Sequence, residues 1–135
     1  MAKIKPLTLN FKALGAWKYV KVASLLRTEK PAQKHILLTL AFYADPAGYC
    51  HPSYESLMDD TGYGSKQTIA EALTYLRDDL KILTWTKGHS NQYRPNIANG
   101  YTLILQAMVK VLKAQRDARR ATEEAEALST VSVPS

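Results

Sequence analysis

The sequence predicts a mainly α-helical fold with a small β-hairpin, extended by a long C-terminal helix. Three observations carry this reading. Apolar residues recur at helical spacing over residues 29–44 and again over 66–79. Two short β-rich runs, 82–86 and 96–105, flank a polar stretch. Finally, Ile104, Ala107, Val111, Ala114, Ala118, Ala121, Ala125 and Leu128 alternate spacings of three and four residues, a heptad-like seam.

Length and composition agree. The 135 residues suffice for one domain with an appended arm or helix. A 46% apolar and 22% charged composition is that of a globular chain. One cysteine, Cys50, excludes an intramolecular disulfide framework and a multi-Cys zinc site. No uncharged run reaches the ~18 apolar residues of a membrane span, and the N-terminus shows no signal-peptide pattern. A cytoplasmic location is expected.

The net charge of +6 is unevenly spread. Residues 1–40 carry +7, residues 41–79 carry −5, residues 80–102 carry +3 and the remainder +1. A basic arm and a second basic segment therefore flank an acidic middle. An excess of this kind fits a nucleic-acid partner or an ordinary solvated surface.

Each element has a local reason. Residues 1–28 read as a basic arm with a short helix at 17–26, where Trp17, Val20 and Leu25 are available for packing. Over 29–44, Pro31 suits a first helical turn, and Ile36, Leu37, Leu40 and Ala44 form a stripe. Asp45-Pro46-Ala47-Gly48 ends the helix, and Tyr49-Cys50-His51 is a short strand. Residues 52–60 form a short helix with Ser53 as N-cap. Thr61-Gly62-Tyr63-Gly64 is a turn in which both glycines tolerate positive φ. Ser65 then caps a helix over 66–79 whose buried stripe is Ile69, Ala72, Leu73, Leu76 and Leu80. The strands follow, then a helix over 106–128 and an expected disordered tail at 129–135.

Helix, strand, helix, turn, helix, strand, polar loop, strand is the order of a winged helix-turn-helix, here spanning 29–105. In such a domain the second helix of the central pair offers its N-terminal residues to DNA base edges. That assigns Ser65, Lys66, Gln67 and Thr68 to the reading turn, with Glu71, Thr74 and Tyr75 farther along the same face. Gln pairs bidentately with adenine and Lys reaches guanine acceptors. Hydroxyls and helix N-terminal N–H groups suit phosphate.

Residues 51–83 also resemble the winged helix-turn-helix DNA-binding domains of bacterial, phage and plasmid regulators and replication initiators. The resemblance rests on Pro52-Ser53, Leu57, Thr61-Gly62, Thr68-Ile69, Leu73, Leu76 and Ile82-Leu83. It implies duplex DNA as partner, no cofactor, and contacts that include Ser53 and Tyr63 beside the reading turn. It makes residues 87–94 the wing, with Lys87, His89, Asn91 and Arg94 on the backbone or minor groove; an ordinary exposed loop is the plainer account. Three departures stand out. Met58 replaces the usual Ala, the turn to Thr68 is one residue longer, and no Gly marks the step at Leu80-Lys81.

Catalytic chemistry is not expected. Cys50, His51 and His89 make a poor ligand set, since two are adjacent and would diverge on a strand. The pairs Asp59-Asp60 and Asp78-Asp79 diverge by about 100° on a helix. No phosphate-cradling loop or nucleophile motif is present. The leading function is therefore a small dimeric transcriptional regulator of mobile-element type. Replication initiation or plasmid partition with the same chemistry follows closely, and a winged-helix protein–protein adaptor is a third reading. Lys3, Lys5 and Lys12 would track DNA from the arm, and the C-terminal helix would pair two copies. Alternatively that helix lies on its own domain through Ile104, Met108, Val111 and Leu112 and frays beyond Arg116.

Overall fold

A computed structural model describes residues 17–86 and 99–131. The helices are α1 (Trp17–Leu25), α2 (Pro31–Tyr43), α3 (Tyr54–Thr61), α4 (Lys66–Thr74) and α5 (Leu105–Val131). The strands are β1 (Tyr49–Cys50), β2 (Leu83–Thr86) and β3 (Gly100–Leu103). A π-turn, Tyr75–Asp79, continues α4. The expected hairpin is present as β2–β3, with Thr86 opposite Gly100 and Leu83 opposite Leu103. β1 adds to its other side through Tyr49↔Thr102 and Cys50↔Tyr101, so the antiparallel order is β1-β3-β2.

The core follows the apolar stripes. Ile36, Leu37 and Leu40 of α2 are wholly buried, as are Leu57 of α3 and Ile69 of α4. They meet Leu83, Tyr101 and Leu103 from the sheet. α2 packs against α1, α3 and α4, so it is the hub that fixes the angle of the central pair.

Local chemistry sets the ends of these elements. The Lys30 amide donates to Gln33 Oε1 at 2.9 Å, which satisfies an orphan donor at the start of α2. The turn after α2 closes on Asp45, whose Oδ1 accepts from the amides of Ala47 (2.9 Å) and Tyr49 (3.0 Å). Gly48 sits at φ +89°, and a Cβ there would overlap the Leu103 carbonyl oxygen. Only glycine permits this close approach of the turn to β3.

Three local expectations change. The first helix buries Tyr19, Val22 and Ala23, and Leu26 just beyond its end, while the expected Val20 and Leu25 are only half-buried against the core and Trp17, 60% exposed, packs edge-on to Phe42. The four buried residues lie at i, i+3, i+4 and i+7, the stripe that α2 and α5 cover. Tyr19 anchors the end by donating from its hydroxyl to the Pro46 carbonyl at 3.1 Å. The helix expected to run regularly to Asp79 widens after Thr74: the Leu80 amide reaches the Tyr75 carbonyl, five residues back, at 3.1 Å. The extra residue per turn rotates Leu80 off the buried stripe, where it is only half-buried. Gly62 takes φ +79° and caps α3 by donating to Met58 O at 2.8 Å, whereas Gly64 does not enter the left-handed region.

The long C-terminal helix is present and runs to Val131. Met108 and Leu112 bury its first turns, and α1 is its neighbour. Gln115 completes the join, accepting from the Arg27 amide and donating to the Arg27 carbonyl, both at 2.9 Å. Residues 117–128 are all exposed. Among the described residues, no helix is long and apolar enough to cross a membrane.

Candidate nucleic-acid interface

The frame beneath the candidate site is the buried side of α4 and its π-turn. Ile69, Ala72, Leu73 and Leu76 are buried on one side of α4 and its π-turn. The opposite side must therefore face outward. Lys66, Gln67, Glu71 and Thr74 are all exposed there, and Thr68 is half-buried at the edge.

The entry to α4 is capped from within. Ser65 is exposed, extended at φ −124°, and its hydroxyl accepts from the Thr68 amide at 3.4 Å. A good N-cap stabilises a helix by ~1 kcal/mol and holds the remaining N-terminal N–H groups ready for an anion. Between the two helices Gly62 is left-handed and Ser65 extended, and α4 begins at Lys66.

Side chains on the exposed face are ordered by one contact. Gln67 Nε2 donates to Glu71 Oε1 at 3.0 Å, one helical turn away. Next to this pair lies a cleft of about 490 Å³, formed where Lys30 and Gln33 at the start of α2 face Gln67, Glu71 and Thr74.

Two further predicted residues also have structural employment. Ser53 caps α3, its hydroxyl accepting from the Ser56 amide at 3.0 Å. Tyr63 is half-buried, its ring edge-on to His35 with centroids 5.7 Å apart. Tyr75 is the one clear departure. Expected on the reading face, it is buried at 9% exposure. Position 75 lies at the border of the stripe, and Tyr75 and Glu29 both line the cleft. Burial and then the Glu29 charge hold its phenol above the ordinary value. Lys87, His89, Asn91 and Arg94 lie outside the described residues, as do Lys3, Lys5 and Lys12.

Two features escaped the sequence reading, and a third was signalled in it only by a missing glycine. Lys30 comes beside the reading face from 36 residues upstream, which no local pattern signals. Arg77 stacks over Trp85 with its guanidinium carbon 3.8 Å from the ring centroid, and its Nε bonds Asp78 at 2.7 Å. That places a cation beside the first strand of the hairpin. Lys81 adopts φ +58° at the helix-to-strand step, the position where the absence of a glycine was conspicuous.

Cys50 is buried, whereas His51 is exposed and stacked on Tyr49. Burial raises the Cys50 thiol to about 12, with the Asp45 charge adding to it. A thiol in that state is a packing group rather than a nucleophile.

Comparison with known proteins agrees with this geometry. Residues 30–79 match the family model of a helix-turn-helix domain. The chain carries a winged helix-turn-helix. The matched segment runs from the start of α2 through the π-turn, and the three-stranded sheet supplies the winged form. The chain matches no curated protein and no solved structure. A helix-turn-helix domain is an architecture of duplex DNA binding, with α4 in the place of the reading helix.

Proposed function

We propose that this chain is a sequence-specific double-stranded DNA-binding protein, acting in the cytoplasm without catalytic chemistry, as a small dimeric transcriptional regulator of mobile-element type. One observation supports it most. The N-terminal turn of α4 exposes Ser65, Lys66 and Gln67 while the far side of the same helix is locked into the core. A helix so held enters a major groove as a rigid body, and its first turn meets base edges.

The charge distribution supports a division of labour. The pair α3–α4 lies within the acidic middle of the chain. Phosphate attraction then falls to the basic arm and to Lys87 and Arg94 in the expected wing, while the reading helix discriminates. The exposed far half of α5, with Ala118, Ala121, Ala125 and Leu128 on one seam, supports pairing with a second copy. Two reading helices would then address successive major grooves. Replication initiation or plasmid partition uses the same interface, and the position of the bound site in its genome separates the roles.

The test is selection of bound fragments from a genomic library, followed by salt titration. A discrete site, an inverted repeat for a dimer, is expected, with affinity falling steeply as salt rises. Gln67→Ala is expected to weaken the best site more than random DNA, and Arg94→Ala to weaken both alike. A flat salt response with no enriched fragment would leave the protein–protein adaptor reading in place.

A further inference from the structure

We propose that Gln67 and Glu71 act as one unit that reads adenine and rejects guanine, with Glu71 the positioning residue. The inference rests on the DNA-binding reading above and deepens it. Both side chains are exposed, one turn apart on the outward face of α4, and joined by a single hydrogen bond of 3.0 Å.

The chemistry of that bond is one-sided. An ionised carboxylate carries no hydrogen, so it only accepts. The Gln67 amide must therefore turn its NH₂ group, not its oxygen, toward Glu71. A free glutamine flips between two orientations at little cost; this one is pinned. What remains for an outside partner is Oε1 as acceptor and the second Nε2 hydrogen as donor.

One acceptor beside one donor is the complement of the adenine major-groove edge, which offers the N6 amino group and N7. Guanine offers two acceptors, O6 and N7, and calls for two donors. Gln67 has only one hydrogen uncommitted. The Glu71 charge adds repulsion toward O6. Pinning thus converts an ambivalent amide into a selective one before DNA arrives, so less side-chain entropy is lost on binding. The buried neighbours Ile69, Ala72 and Leu73 hold the two Cα atoms in register on the helix.

The full-length protein is tested by selection from a randomised duplex library, comparing wild type, Gln67→Ala, Glu71→Gln and Glu71→Ala. Wild type is expected to enrich adenine at one position, and Gln67→Ala to lose that preference. Glu71→Gln removes the charge but little volume, and its side chain accepts either orientation of the Gln67 amide. The preference for adenine over guanine at that position is expected to fall about tenfold, within the range that one bidentate contact provides. Binding to pooled random DNA is expected to stay level or rise, which a merely structural role for Glu71 would not produce. Glu71→Ala should match Glu71→Gln in base preference, with the same helical circular dichroism as wild type. Unchanged base preferences in both Glu71 variants would overturn the proposal while leaving DNA reading by α4 intact. Selection of cytosine at the position would overturn it as well, since Glu71 would then be accepting directly from the cytosine amino group. A wild type that enriches no sequence would overturn both readings together.

Discussion

Single positions carry most of the strain and much of the titration behaviour. Lys81 is the only non-glycine residue at positive φ among the described residues. It stands where α4 and its π-turn hand over to the sheet, and the Ile82 amide reaches back to the Leu76 carbonyl at 3.0 Å to close that corner. A side chain in the left-handed region costs about 1–2 kcal/mol, and glycine returns part of this as unfolded-state entropy. Lys81→Gly is therefore expected to stabilise the fold by about 0.5–1 kcal/mol, read from the urea midpoint; a loss of stability would mean the lysine makes a compensating contact. Cys50 gives a pH prediction. Its folded value of about 12 exceeds the ordinary 9.0, so the folded state keeps a proton that the unfolded chain releases. Its contribution is complete below pH 9 and is lost as pH rises from there toward 12. Stability should fall as pH rises from 9 toward 12 in wild type, and less so in Cys50→Ala. The native thiol should also resist alkylation at pH 8 until urea unfolds the protein.

At the scale of elements, capping and long-range hydrogen bonds do the joining. Lys34 donates from Nζ to the carbonyls of Ala23 (2.8 Å), Ser24 (2.8 Å) and Leu26, so a side chain of α2 terminates α1. Burial lowers the ordinary lysine value here, yet the ammonium retains three carbonyl partners at a helix C-terminus. Lys34→Met is expected to cost roughly 1–2 kcal/mol, with amide exchange in α1 accelerating first. Gln115 plays a similar part for α5 through its two bonds to Arg27. Gln115→Ala is expected to loosen the docked half of α5, cost about 1 kcal/mol, and raise exchange at Met108–Leu112 more than in α4. Neither join was legible in advance. The stripes of α2 and α4 could be read because helical spacing is local. The partners of Lys34 and Gln115 lie 8 to 11 and 88 residues away, where only packing brings them together.

The whole molecule divides α5 into two parts. Met108, Leu112 and Gln115 belong to the domain, and residues 117–128 are exposed. This sharpens the test of pairing. Ending the chain after Val109 would remove Leu112 and Gln115 and confuse pairing with folding. Ending it after Arg116 should leave the domain folded by circular dichroism, give a monomer by light scattering, and weaken binding to an inverted repeat more than to a half-site. A dimer that survives this truncation would place the interface on the domain itself. Arg119 and Glu123 are already bonded to each other at 3.0 Å within one helix, so those charges need no partner chain. An alanine-rich seam buries little area per residue, and helices that use one must approach closely to gain by it.

The sequence by itself determined the order of elements, the caps at Ser53 and Ser65, and the inward stripes of α2 and α4. All of these rest on backbone geometry within a few residues. It also singled out Leu80-Lys81 as an unusual step, because the residue type there lacks glycine's freedom. Tertiary structure decided which side chains share a site. It buried Tyr75, left Trp17 exposed, brought Lys30 to the same cleft as Gln67, and set Arg77 on Trp85. Such outcomes depend on how separate elements cross and on where a π-turn shifts the register. Periodicity does not encode those features, because contacts distant in sequence are chosen by packing of the whole core.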